Sequence, residues 1–147
     1  MSDIHIEDFY KDAARTFLKL YAYFPKRASV YVEDIAGEEE LDEFGLHTDR
    51  HLACFGTLLW LADEGFIRYD DTIRQLAIDQ AVLTHKTFVL LSARCELNPP
   101  SIDESVNTPA SVIADQHTNI SQLRSAVKSG SSEAIKNITR YLLALAA

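Results

Sequence analysis

The chain has 147 residues but only two cysteines, Cys54 and Cys95, too few for a disulfide framework. Cys54 falls inside a helical pattern, where a buried free thiol is the usual state. No apolar run approaches the roughly 18 residues of a membrane span, and Met1, Ser2 and Asp3 do not form the positive start of a secretory leader. A reducing, cytoplasmic setting without a membrane partner is expected. Glycine and proline are sparse, at 5 and 4 residues, which excludes collagenous and low-complexity architectures. Cations are outnumbered: 14 Lys and Arg face 22 Asp and Glu for a net charge of −8, which disfavours non-specific attraction to polyanions. There is no glycine-rich phosphate loop and no serine in a nucleophile elbow. The five histidines (His5, His47, His51, His85, His117) have no visible base-orienting partner. No catalytic residue, no cofactor and no enzymatic activity are expected.

What is present is ordinary for a globular protein, 47% hydrophobic and 24% charged, enough for one modest core. Apolar residues Ile6, Tyr10, Ala13, Phe17, Leu20 and Phe24 recur at spacings of four and three, with Asp8, Lys11, Asp12, Arg15 and Lys19 on the other face. This predicts an amphipathic helix ended by Pro25. Ser29 to Val32 has strand composition, and Val32 to Ala36 reads as a brief helix closed by Gly37. Glu38 to Gly45 reads as an acidic helix-linker surface. Thr48 is placed to cap a helix that Gly65 stops, with Asp49 in its first turn. Phe66 to Tyr69 and Ile73 to Leu83 form the arms of a predicted hairpin connected by Asp70, Asp71 and Thr72, after which Thr84 caps a helix through Leu91. Residues 95–108, with Asn98, Pro99, Pro100 and Asn107, form a turn-rich linker. A helix restarting at Thr108 and Pro109 ends at Gly130, and Ser131 or Ser132 caps another.

The order helix, short strand, helix, helix, hairpin, helix resembles a winged-helix domain over roughly residues 6–92. Leu61-Ala62-Asp63-Glu64-Gly65-Phe66-Ile67 is similar to the family's helix-to-wing junction, and Val82-Leu83-Thr84-His85-Lys86 to its exit from the wing. Thr87 stands where the family usually has glycine, and the wing carries Asp70-Asp71 instead of a basic or glycine-rich tip. The expected fold is mainly α with a small β-hairpin: a winged-helix-like domain at 1–94, the linker at 95–108, and a helical hairpin at 109–147 that packs on the domain or forms a dimer interface. The resemblance implies that the second motif helix enters the major groove of DNA. DNA-contact candidates are then His47, Arg50 and His51 on that helix, Arg68 and Arg74 on the wing, and Lys26 and Arg27 before the first strand.

Charge pulls the other way, since residues 28–65 hold Arg50 as their only Lys or Arg against ten carboxylates. Each phosphate contact needs a cation to displace counterions. Two functional expectations follow: a DNA-binding transcriptional regulator, or an acidic interaction module that has lost DNA contact and binds a basic protein through Glu38, Glu39, Glu40, Asp42 and Glu43. In either case the apolar seams of the first and last helices suggest a homodimer. A small-molecule sensor would need a deep pocket along the aromatic first helix. His47, His51 and Cys54 at i, i+4 and i+7 are three ligands of a zinc set whose fourth would have to come from a distant residue such as His85, and no metal is expected. The acidic cluster lacks the ligand spacing of a calcium loop, and Trp60, within Leu58 to Leu61, is assigned to core packing.

Overall fold

The computed structural model describes residues 3–97 and 117–147. Helix α1 (Ile4–Tyr23) leads to strand β1 (Ala28–Tyr31), the short helix α2 (Val32–Ala36) and helix α3 (Asp49–Asp63). Strands β2 (Ile67–Arg68), β3 (Asp71–Ile73) and β4 (Ala77–Leu83) precede α4 (His85–Ser92), and α5 (Asn119–Ser129) and α6 (Ser132–Leu145) complete the described elements. The chain is mainly helical with a small antiparallel sheet and a C-terminal helix pair.

Local chemistry explains most boundaries. Thr48 accepts a hydrogen bond from the His51 amide at 3.1 Å and caps α3. Gly65 follows α3 at φ +79°, a left-handed conformation that costs glycine little. Thr84 takes the cap position of α4, although its hydroxyl donates to the Gly65 carbonyl at 2.7 Å and so ties the start of α4 to the end of α3. Helix α5 begins later than the 108 start expected from sequence: Thr118 is its cap, accepting from the Ser121 amide, and residues 98–116 lie outside the described residues. The same holds for most of the expected linker. Its flanks meet in space, with the Cys95 amide donating to the His117 carbonyl and Arg94 bridging to Thr118.

The hairpin differs from expectation. Asp71 and Thr72 lie in a strand, paired with Asp79 and Ile78, and the reversal comes at Arg74 to Leu76, where Arg74 has φ +52° and the Leu76 amide donates to the Ile73 carbonyl at 2.9 Å. Ala77 and Ile78 on β4 are fully buried and are paired with β1 on one edge and β3 on the other. That pairing extends the ladder through a polar segment whose composition alone reads as a turn.

The core joins Phe17 and Leu20 of α1, Leu58 and Leu61 of α3, Ile78 and Leu83 of β4, and Ile135, Ile138 and Leu142 of α6. Helices α1 and α6 therefore pack their apolar seams on each other within one chain. Trp60 is not core: it is 40% exposed, edge-on to Phe9 at 5.2 Å and beside Phe66 at 6.2 Å. Phe24 and Phe88 stack at 4.3 Å, which fills the aromatic end of α1 with side chain. No described helix is long and apolar enough to cross a membrane.

Candidate functional site

The connection between α2 and α3 spans twelve residues, 37–48, against the three or four of an ordinary helix-turn-helix. It forms an ordered acidic loop. Asp42 Oδ1 accepts from the Phe44 amide at 2.9 Å and the Leu46 amide at 2.8 Å, and the Gly45 amide returns to the Asp42 carbonyl. This turn leaves Leu41, Phe44 and Leu46 in solvent, Phe44 at 78% exposure, among exposed Glu38, Glu40, Asp42 and Glu43.

Glu39 points the opposite way. Its Oε2 accepts from the amide and hydroxyl of Thr48, both at 2.8 Å, while Oε1 meets His47 Nδ1 and lies 3.0 Å from His51 Nδ1. Partial burial works against ionisation, but the hydrogen bonds from His47 and from Thr48, with the charge on His51, outweigh it and bring the Glu39 carboxyl down to about 2. The His47 and His51 rings stack at 4.1 Å, nearly parallel. His51 is buried, and its Nε2 donates to the Gln75 carbonyl at 2.6 Å, so the hairpin turn is fastened to the first turn of α3. A cavity of about 280 Å³ opens beside these groups, lined further by Tyr31, Glu33, Leu41 and Leu76.

Arg50 turns to the other side of α3. Its two terminal nitrogens reach both oxygens of Asp12, at 2.7 and 2.6 Å, and Nε lies 3.6 Å from Asp8. Asp12 is 1% exposed. The Asp12 hydrogen bonds raise the Arg50 pKa against the opposing cost of its partial burial. Cys54 sits in the same seam as a buried free thiol. Burial, and then the nearby Asp12 carboxylate, push its pKa up to about 12.

The seven residues proposed to touch DNA are thus not gathered on one face. Arg50 is neutralised by α1, and His51 and His47 are turned into the loop cluster. Lys26, Arg27, Arg68 and Arg74 are exposed. Arg27 and Arg68 line one shallow hollow together with Asp70, which lies 3.6 Å from Arg27. Lys26 lies over the Tyr23 ring, and Arg74 sits at the hairpin turn. Of the acidic residues proposed to meet a partner, Glu38, Glu40, Asp42 and Glu43 face solvent and Glu39 does not. Cys54 does not join the two imidazoles, and Glu39 takes the place it was given in the sequence-based set.

Two participants were missed from sequence, Asp12 and the inward role of Glu39. The signal for the first was present: a lone arginine among ten carboxylates needs a specific partner, and a carboxylate in α1 supplies it. Nothing in the run Glu38-Glu39-Glu40 distinguishes the middle residue, whose role depends on the loop's path. Compared with protein-family models, curated proteins and solved structures, the chain gives no match.

Proposed function

We propose that this protein is a non-enzymatic regulatory module on a winged-helix scaffold that acts by binding a basic protein segment, rather than by inserting α3 into DNA. The reading rests above all on the 37–48 loop, which stands where a tight motif turn would be and exposes Phe44, Leu41 and Leu46 among the exposed Glu38, Glu40, Asp42 and Glu43 of the same segment. Large apolar side chains exposed together mark interaction surfaces. The surrounding Glu38, Glu40, Asp42 and Glu43 select for Lys and Arg on the partner and speed encounter. The partner of best fit is an amphipathic segment with apolar anchors flanked by basic residues. Capture of Arg50 by Asp12 withdraws the lone cation of the segment from a phosphate backbone, which lends further support.

The test uses the full chain against a panel of fluorescent amphipathic peptides, basic and acidic, and against duplex DNA at low salt. Binding of the basic peptides that weakens at least about tenfold on Phe44→Ala, and weakens as salt rises, is the expected result. Duplex binding that falls with salt and is lost on substituting Arg68 and Arg74, with no peptide binding, would return the protein to the DNA-binding reading.

A further inference from the structure

Two imidazoles and one carboxylate converge at the base of the acidic loop. His51 Nε2 faces a carbonyl oxygen, which only accepts, so Nε2 carries the ring proton. His51 Nδ1 lies 3.0 Å from Glu39 Oε1, and the same oxygen also meets His47 Nδ1. Two imidazole nitrogens and one carboxylate oxygen, the atom types that bind first-row transition ions, thus meet at one point. One candidate ligand atom from each of Glu39, His47 and His51 lies within 4.8 Å of the other two. Ligands at zinc distances of about 2.0–2.2 Å in a tetrahedron stand roughly 3.4 Å apart, so small side-chain rotations suffice.

We propose that Glu39, His47 and His51 form a binding site for a divalent first-row transition ion, zinc in the first instance, that fastens the 37–48 loop to α3.

The surroundings are those of a ligand set rather than of an incidental cluster. Metal-bound histidines commonly donate their second nitrogen to a carbonyl, which fixes tautomer and ring orientation, and His51 does so to Gln75. The amide and hydroxyl of Thr48 hold Glu39 Oε2 and leave Oε1 for the ion. Imidazole nitrogen with a single carboxylate suits zinc and its neighbours, whereas calcium and magnesium prefer all-oxygen shells. The adjoining cavity provides room for a fourth, non-protein ligand. The site is independent of what docks on the loop.

Calorimetric titration of the metal-free full chain with zinc chloride tests the site. One zinc per chain is expected, with Glu39→Gln and His47→Ala each weakening binding more than roughly a hundredfold, beyond the usual loss for an outer-shell change. Cys54→Ser and His85→Ala should leave it unchanged. Both loop substitutions lie outside helices and strands, and circular dichroism of each variant checks that the fold persists. A cobalt-loaded chain should show the strong visible bands of a four- or five-coordinate ion, lost in His47→Ala. Absence of stoichiometric zinc uptake, or uptake that survives both Glu39→Gln and His47→Ala, would overturn the proposal.

Discussion

Two clusters of ionisable groups flank the first turns of α3 and differ in completeness. On the α1 side, Arg50 meets Asp12 through two parallel hydrogen bonds with Asp8 nearby, so opposite charges sit together and the guanidinium fork is matched to a carboxylate. On the loop side, one Glu39 oxygen faces two imidazole nitrogens, with His51 already committed to Gln75. The first is a closed structural contact that removes a cation from the surface, and the second gathers three ligand-type atoms where we place a metal ion. Neighbouring positions in sequence, Arg50 and His51, thus serve opposite ends because a helix turns successive side chains through about 100°.

The closed cluster should be sealed against reagents. With its pKa pushed up to about 12, Cys54 has a thiolate fraction at pH 8 on the order of a thousandfold below that of an ordinary cysteine. Iodoacetamide labelling followed by mass spectrometry should find it unreactive until the chain unfolds, and rapid labelling of the folded protein would contradict a sealed seam. Next in size, Arg50→Met should cost about 3 kcal/mol in urea unfolding, since it strands the buried Asp12 carboxylate. The figure is set at the low end for such pairs because Arg50 is itself one-third exposed. The double variant Asp12→Leu/Arg50→Met should regain at least about half of that loss, because two apolar groups need no counter-charge.

The open cluster should respond to an ion instead. Zinc at a hundredfold excess over its Kd adds about 2.7 kcal/mol, which for a chain of this length raises Tm by roughly 5–10 °C in a calorimetric scan. Arg50→Met should keep this rise and His47→Ala should lose it; a rise lost in Arg50→Met as well would mean that the two clusters act as one. The smallest effect is expected from Phe44→Ala, which removes an exposed side chain and should change unfolding free energy by less than about 0.5 kcal/mol while weakening peptide binding.

Helical periodicity and capping chemistry carried most of the fold. The seam of α1, Thr48 before α3, Gly65 after it and Ser131 before α6 all stand where apolar spacing and cap preference put them. Strand limits were less legible: Asp70-Asp71-Thr72 has turn composition, yet Asp71 and Thr72 pair with β4 because buried Ala77 and Ile78 need a partner on that edge. Trp60 was misread because an apolar helical run does not tell how much of its circumference is covered. The site was the least legible part. Cys54 and His51 fit one face by spacing, but His47 precedes the helix and the third convergent group comes from the loop, eight residues earlier than His47.

Sequence alone determined the mainly helical architecture, the acidic character of the segment between α2 and α3, and the scarcity of cations there, because these follow from short-range periodicity and from composition. Only the tertiary structure decided that α6 covers α1 within one chain, that Asp12 claims Arg50, and that Glu39 turns inward to His47 and His51. Each of these depends on the path of distant segments, and a side chain's partner is set by where the backbone delivers it rather than by its neighbours along the chain.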